Sequence, residues 1–438
     1  MKTTKILVSP QKKEGALRNI LGINNSTQIN DYYHLPERKR LFDELGAKYV
    51  RHHDCVGENP GIALVDVSRI FPLFHADAND PKNYIFGPTD DYLSLIPEDM
   101  IIEFRFGEQI EHSVNRYRIN PPEDYEKWAD ICVNIMRHLT EGWANGLHLN
   151  IQYLSFYEEP NDNFERIFGA PFDEFLKLYV VAHKKLRAAF PHMKIGGPAT
   201  GYHYDAQTCE RFLTCLQQNG LKPDFISGDI YDRNINYIPD KVREIEQLLE
   251  RYDCQDTEIF ITEWHIGPAK WRPFNPKGFF DAEGAAFSAS TLIRLMDTKL
   301  EGAYFYCWGG ASYGLVYVDR ELGVAKGYPT YYALKYFTEL TKCDARISVT
   351  AEDKEDLVDF LAGITADGKA QLLLSCYDAE PCNFEITVPG YSTARLKRIV
   401  NGEKFAEETW LPLEKTGDVF TLPMAEDGCG VYFLEFEQ

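Results

Sequence analysis

Short apolar runs recur along the first three quarters of the chain, and each is followed by a longer stretch with apolar residues at helical spacing. The runs are Arg18–Asn25, Ala47–Asp54, Met100–Glu108, Ile151–Tyr157, Met193–Pro198, Asp224–Tyr231, Glu258–His265 and Gly302–Trp308. Between and after them lie predicted helices over Pro36–Leu45, Asp90–Pro97, Glu123–Leu139, Phe172–Phe190, Asp205–Asn219, Asp240–Tyr252, Ala282–Leu300 and Pro329–Leu340. Pro121 and Pro122 open the third of these, and Gly46 and Gly220 stop the first and fifth. The runs are almost continuously apolar rather than alternating, as strands buried on both faces of a parallel sheet are. Strand and helix alternate eight times, which predicts an α/β chain closed as a (β/α)8 TIM barrel over residues 18–342 rather than an open doubly wound sheet.

After Cys343 the period changes to two. Short alternating runs are separated by Ala366-Asp367-Gly368, Pro389-Gly390 and Asn401-Gly402. This predicts an all-β sandwich over residues 343–438, with residues 1–17 contributing a strand to it. Cys55–Tyr84 and Trp271–Phe280 read as long loops on the barrel face that carries chemistry.

Two strand ends on that face carry carboxylates. Ile151–Tyr157 runs into Glu158-Glu159-Pro160-Asn161, where proline ends the strand, and Glu258–His265 carries Glu263. Cleavage of a glycosidic bond needs one carboxylic acid to protonate the leaving oxygen and one carboxylate to attack the anomeric carbon or activate water. Strands four and seven lie on opposing parts of a barrel rim, so Glu159 and Glu263 can converge. Tyr231, Trp264 and Trp308 at neighbouring strand ends are candidate sugar-stacking rings, and Arg51 and His53 are candidate hydroxyl-binding groups.

Charge and composition narrow the partners. A formal net charge of −21 over 438 residues repels nucleic acid and anionic membrane surfaces, and disfavours a polyanionic substrate. No stretch approaches the ~20 apolar residues of a membrane span, and Met1–Pro10 has too short an apolar run for a signal peptide, so a cytoplasmic location is expected. The ten cysteines are scattered, with no Cys-x-x-Cys or His-Glu-x-x-His, and no strand leads into Gly-x-Gly-x-x-Gly. No metal site and no cofactor are therefore expected; the expected partner is a carbohydrate substrate, and assembly into a homo-oligomer stays open.

Glu159-Pro160, Glu263 and Trp308 together resemble the clan of retaining barrel glycosidases. Arg51-His52-His53-Asp54, Lys194–Ala199 and Asp224–Ser227 resemble glycoside hydrolase family 39, which includes β-xylosidases and α-L-iduronidases with a barrel and a β-sandwich. The resemblance implies a retaining hydrolase of a neutral glycan, with Glu159 as general acid/base and Glu263 as nucleophile. The chain departs from the pattern twice. Glu158 stands where the clan has an Asn that hydrogen-bonds the sugar 2-hydroxyl, and Asp229 stands where strand six usually has His. Both add negative charge near Glu159, which should raise the pKa of one carboxyl group and disfavours a uronic acid substrate. The competing readings are a non-catalytic carbohydrate-binding barrel on the same fold, and a barrel lyase or isomerase, for which no ligand set stands out.

Overall fold

A computed structural model describes residues 2–26, 35–52, 63–110, 118–161, 167–201, 203–267, 279–309, 313–319, 323–402 and 408–438. The first strand, β1 (Lys2–Gly15), precedes the barrel. The barrel itself is β2 (Leu21–Asn24), β3 (Tyr49–His52), β4 (Ile101–Phe106), β5 (Ile151–Phe156), β6 (Lys194–Thr200), β7 (Phe225–Asp232), β8 (Glu258–Ile266) and β9 (Leu300–Phe305). These strands pair in sequence order, all parallel, and β9 closes on β2 with Leu21 opposite Ala303. The helices are α1 (Leu35–Leu45), α2 (Val67–Ile70), α3 (Gly87–Leu93), α4 (Tyr125–Glu141), α5 (Phe172–Ala189), α6 (Ala206–Gln218), α7 (Tyr237–Arg251), α8 (Ala282–Leu295) and α9 (Pro329–Leu340). The α/β barrel expected from the sequence is the fold observed. Three local differences stand out. The helix expected from Asp90 starts earlier, at Gly87 with Pro88 in its first turn, the last barrel strand stops at Phe305, and a hairpin of Val316–Asp319 with Val324–Gly327 precedes α9. Among the described residues, no helix is long and apolar enough to cross a membrane.

The barrel floor is a plug of rings. Tyr49, Tyr153, Phe225, Phe260 and Tyr304 are buried together, with Tyr153 and Phe260 centroids 4.9 Å apart and Tyr49 and Phe260 5.6 Å apart. Such edge-on contacts fill the narrow end without stacking penalties. Gly22 makes room for the plug, since a Cβ there would come within 2.5 Å of the Tyr304 ring. Tyr49 and Tyr153 donate from this plug to Glu301 and Glu258, and a second polar layer lies above it.

The rest of the chain forms one ten-stranded sheet, in which β1 runs antiparallel to Ala345–Glu352 and parallel to Cys382–Thr387. The sheet curls over itself: Phe420 and Phe436, six places apart in strand order, have ring centroids 5.3 Å apart. Along Ala370–Cys376, Leu372 and Leu374 enter that inner core, whereas Leu373 and Ser375 face the barrel. Ser375 Oγ donates to the Ala286 carbonyl of α8 at 2.9 Å, and Phe433 stacks on Tyr336 of α9 at 5.5 Å. The sheet therefore braces the helical layer outside β8 and β9, the part of the wall that holds Glu263.

Candidate active site

Above the aromatic floor lies a buried polar layer centred on Arg51, third residue of β3. Its side chain is fully buried; Nε donates to Glu103 Oε1 at 3.2 Å, Nη1 to Asn24 Oδ1 at 3.4 Å, and Nη2 pairs with Glu158. Glu103 also accepts from Ser155 Oγ at 2.8 Å, and Asn24 Nδ2 donates to the carbonyls of Thr262 (2.8 Å) and Tyr304 (3.2 Å). Residues from β2, β3, β4, β5, β8 and β9 are thus tied into one network at the level of the strand ends. A guanidinium suits this place because its planar fork reaches several acceptors at once and it stays charged when buried.

The carboxylates stand on this layer. Past Phe156 the backbone turns sharply: Tyr157 (φ 55°) and Glu159 (φ 40°) both adopt the left-handed region, and the Glu159 N–H donates to the Ala199 carbonyl at 3.0 Å. Strained non-glycine residues of this kind gather where a loop must aim side chains into a site. On the opposite wall, Asp229 of β7 and Glu263 of β8 are register partners just beyond a β-bulge. Glu158, Glu159, Asp229 and Glu263 are all buried. One carboxylate oxygen each from Glu158, Asp229 and Glu263 lies within 4.8 Å of the other two, a set that could also surround a cation. The sequence singled out each member at its own strand end, and the structure adds that the three meet.

Burial and crowding set the protonation of the cluster. Burial, then the charges of Glu158, Glu263 and Glu159, hold the Asp229 carboxyl well above the usual range, against the pull of Arg51. Burial and the charges of Glu158 and Glu159 do the same to Glu263, opposed by Arg51 and by the Tyr231 O–H, which donates to Glu263 Oε2. The charge crowding expected from Glu158 and Asp229 therefore falls on Asp229 and Glu263. Asp229 is fully buried, and neither of its carboxylate oxygens has a hydrogen-bond partner among the described residues.

The aromatic wall differs from the one expected. Trp264 follows Glu263 on the strand, so it alternates to the outer face, where it is fully buried edge-on against Phe305 at 5.1 Å. Trp308 lies beyond the end of β9 and sinks among the helices, 4.9 Å from Phe42 of α1 and 6.4 Å from Tyr331 of α9. The rings around Glu263 are tyrosines instead: Tyr231 lies 6.4 Å from both Tyr306 and Tyr313, which are 5.7 Å apart. His53 lies outside the described residues. Its neighbour His52 is buried edge-on against Tyr92 at 5.1 Å, and burial pushes its imidazole down to about 3. Glu103, Asn24 and Tyr306 escaped the sequence reading. Glu103 alone left a trace there, as a charge inside the apolar run Ile101–Phe106.

The profile of Glycosyl hydrolases family 39 matches residues 24–371, which spans the barrel and runs into the sheet. The chain belongs to glycosyl hydrolases family 39. It is thereby a glycoside hydrolase by family. It is similar to a β-xylosidase from Caldicellulosiruptor saccharolyticus, at 23% identity over 408 residues, covering 85% of this chain and 76% of that one. Among solved structures, a glucosidase from Croceicoccus marinus shares the fold at a TM-score of 0.79 and 19% identity over 100% of both chains. A family 39 β-xylosidase from Caulobacter crescentus does so at 0.71 and 18% identity, over 99% of this chain and 100% of that one.

Proposed function

We propose that this family 39 barrel hydrolyses glycosidic bonds by double displacement, with Glu159 as general acid/base and Glu263 as nucleophile. The observation that carries the reading is that Glu159 and Glu263, from opposite walls, are buried at one mouth and close enough for the charge of Glu159 to raise the pKa of Glu263. Glu159 in its acid form protonates the departing oxygen while Glu263 attacks the anomeric carbon, giving a covalent glycosyl-enzyme. Glu159, now ionised, then takes a proton from the water that releases the sugar. A nucleophile must be ionised, and here crowding works against it. The Tyr231 O–H and Arg51 favour the charged form of Glu263 and oppose that crowding, although the net direction stays upward.

The acidic mouth repels uronic acid glycones. The β-xylosidase names of the relatives support glycosides without carboxylates as the first panel to try. The test is the anomer of the sugar first released from an activated aryl glycoside, followed by NMR before mutarotation. Retention is expected, together with loss of turnover in Glu263→Gln. Inversion, or near-normal turnover in Glu263→Gln, removes the mechanism. Sugar binding with no release across a broad panel marks a binding protein instead.

A further inference from the structure

Among the described residues, four carboxylates share the barrel mouth, and Arg51, a cation facing them, is already committed to Glu103 and Glu158. Asp229 is the telling member: it is fully buried, with both oxygens lacking a partner among the described residues. A buried carboxyl group without a partner loses its hydration and gains nothing from the protein, so such a group in a cleft is matched by what enters it. A sugar hydroxyl offers one donor and no charge. A protonated amine offers three donors and a positive charge.

The spacing fits the amine. Three oxygens at most 4.8 Å apart fit inside a circle of radius about 2.8 Å, so one nitrogen can sit within N⁺–H···O⁻ hydrogen-bond reach of all three. An ammonium nitrogen at its centre donates once to each of Glu158, Asp229 and Glu263. Because Glu263 must also reach the anomeric carbon, that nitrogen belongs on the adjoining ring carbon. Each carboxylate oxygen has two lone pairs, so Glu263 can accept the amine and the Tyr231 O–H and still present its other oxygen to the anomeric carbon. A divalent metal would suit the same donors, but it would tie up the nucleophile and set two positive charges beside buried Arg51.

We propose that the glycone is a 2-amino-2-deoxy sugar with a free, protonated amine, read by Glu158, Asp229 and Glu263. The inference rests on the hydrolase reading above and replaces the neutral glycan expected from the sequence with a cationic one. N-acetylation removes both the charge and two of the donors, so N-acetylated glycones are refused.

The experiment compares aryl 2-amino-2-deoxyglycosides, their 2-hydroxy parents and their N-acetyl forms, in both anomers, with wild-type enzyme and the Asp229→Asn and Glu158→Gln variants. At least a tenfold higher kcat/KM for the free amine is expected, shrinking at least tenfold in either variant. Wild-type preference decides even if both variants misfold. Retaining cleavage of the parents with equal or lower rates on the amine overturns this inference and leaves the hydrolase reading intact. If no glycoside is cleaved, calorimetry with free 2-amino-2-deoxyglucose and glucose decides. Tenfold tighter binding of the amine supports the inference, and equal or absent binding overturns it. Competition between Ca²⁺, Mg²⁺ or Mn²⁺ and the amino sugar, with the metal bound more tightly, assigns the trio to a metal and overturns it also.

Discussion

Arg51 joins Glu103 and Glu158 in an ion-paired bridge sealed inside the barrel. Burying three such charges is tolerable only while they compensate each other, and deleting the shared cation takes an ion-pair partner from both carboxylates. Arg51→Met is therefore expected to lower stability by about 3–5 kcal/mol, read by chemical denaturation, and to cost more than Glu158→Gln. Arg51→Lys is expected to recover little, since an ammonium cannot span both partners. Wild-type stability in Arg51→Met would show that the bridge contributes nothing.

Tyr231→Phe removes one hydroxyl and with it a hydrogen bond that favours the ionised form of Glu263. The Glu263 pKa should rise. The ascending limb of the kcat/KM against pH profile, which reports ionisation of the nucleophile, should move to higher pH, with activity at low pH falling most. An unmoved limb would disconnect Tyr231 from the titration.

Gly201 follows β6 and faces the acid/base. A Cβ at this position would come within 2.9 Å of Glu159 Oε1, so the carboxylate must swing away. Gly201→Ala is expected to lower kcat by roughly 10- to 100-fold while the melting temperature changes little, because about 1 Å of misplacement costs on this scale. Unchanged kcat would show that the position of the Glu159 carboxylate is not critical.

A second buried carboxyl, Glu108 just past β4, should control the pH dependence of stability. It accepts from Ser68 N at 3.0 Å and Ser68 Oγ at 2.5 Å, yet burial and then the Asp66 charge push it up to about 8. A raised carboxyl pKa means that the folded state keeps a proton that the unfolded state releases near 4.5. Its stabilising share is complete below that value and is lost as pH rises towards 8. Between pH 5 and pH 8, wild type should lose on the order of 2 kcal/mol more than Glu108→Gln. Parallel stability curves for the two proteins would refute this.

Much of the fold could be read from local pattern. Barrel strands buried on both faces leave unbroken apolar runs, so Ile151–Phe156 and Glu258–Ile266 announced themselves. The hairpin around Val316 and Val324 did not, since its strands are only four residues long. At the site, Glu159 and Glu263 stood out as acids at strand ends. Trp264 misled because closeness along a strand places neighbours on opposite faces, and Trp308 because the chain leaves the sheet at Phe305. Glu103 and Asn24 have their meaning only through Arg51, and no local signal records a partner on another strand.

One consequence of the ten-stranded sheet concerns biosynthesis. β1 is made before the barrel, yet both its neighbours, Ala345–Glu352 and Cys382–Thr387, are translated after the entire barrel. The newborn chain thus carries an unmated edge while the barrel is being made, open to capture by other strands, until Ala345–Glu352 and Cys382–Thr387 have emerged. Cutting the gene after residue 343 to obtain a minimal enzyme would make that transient hazard permanent.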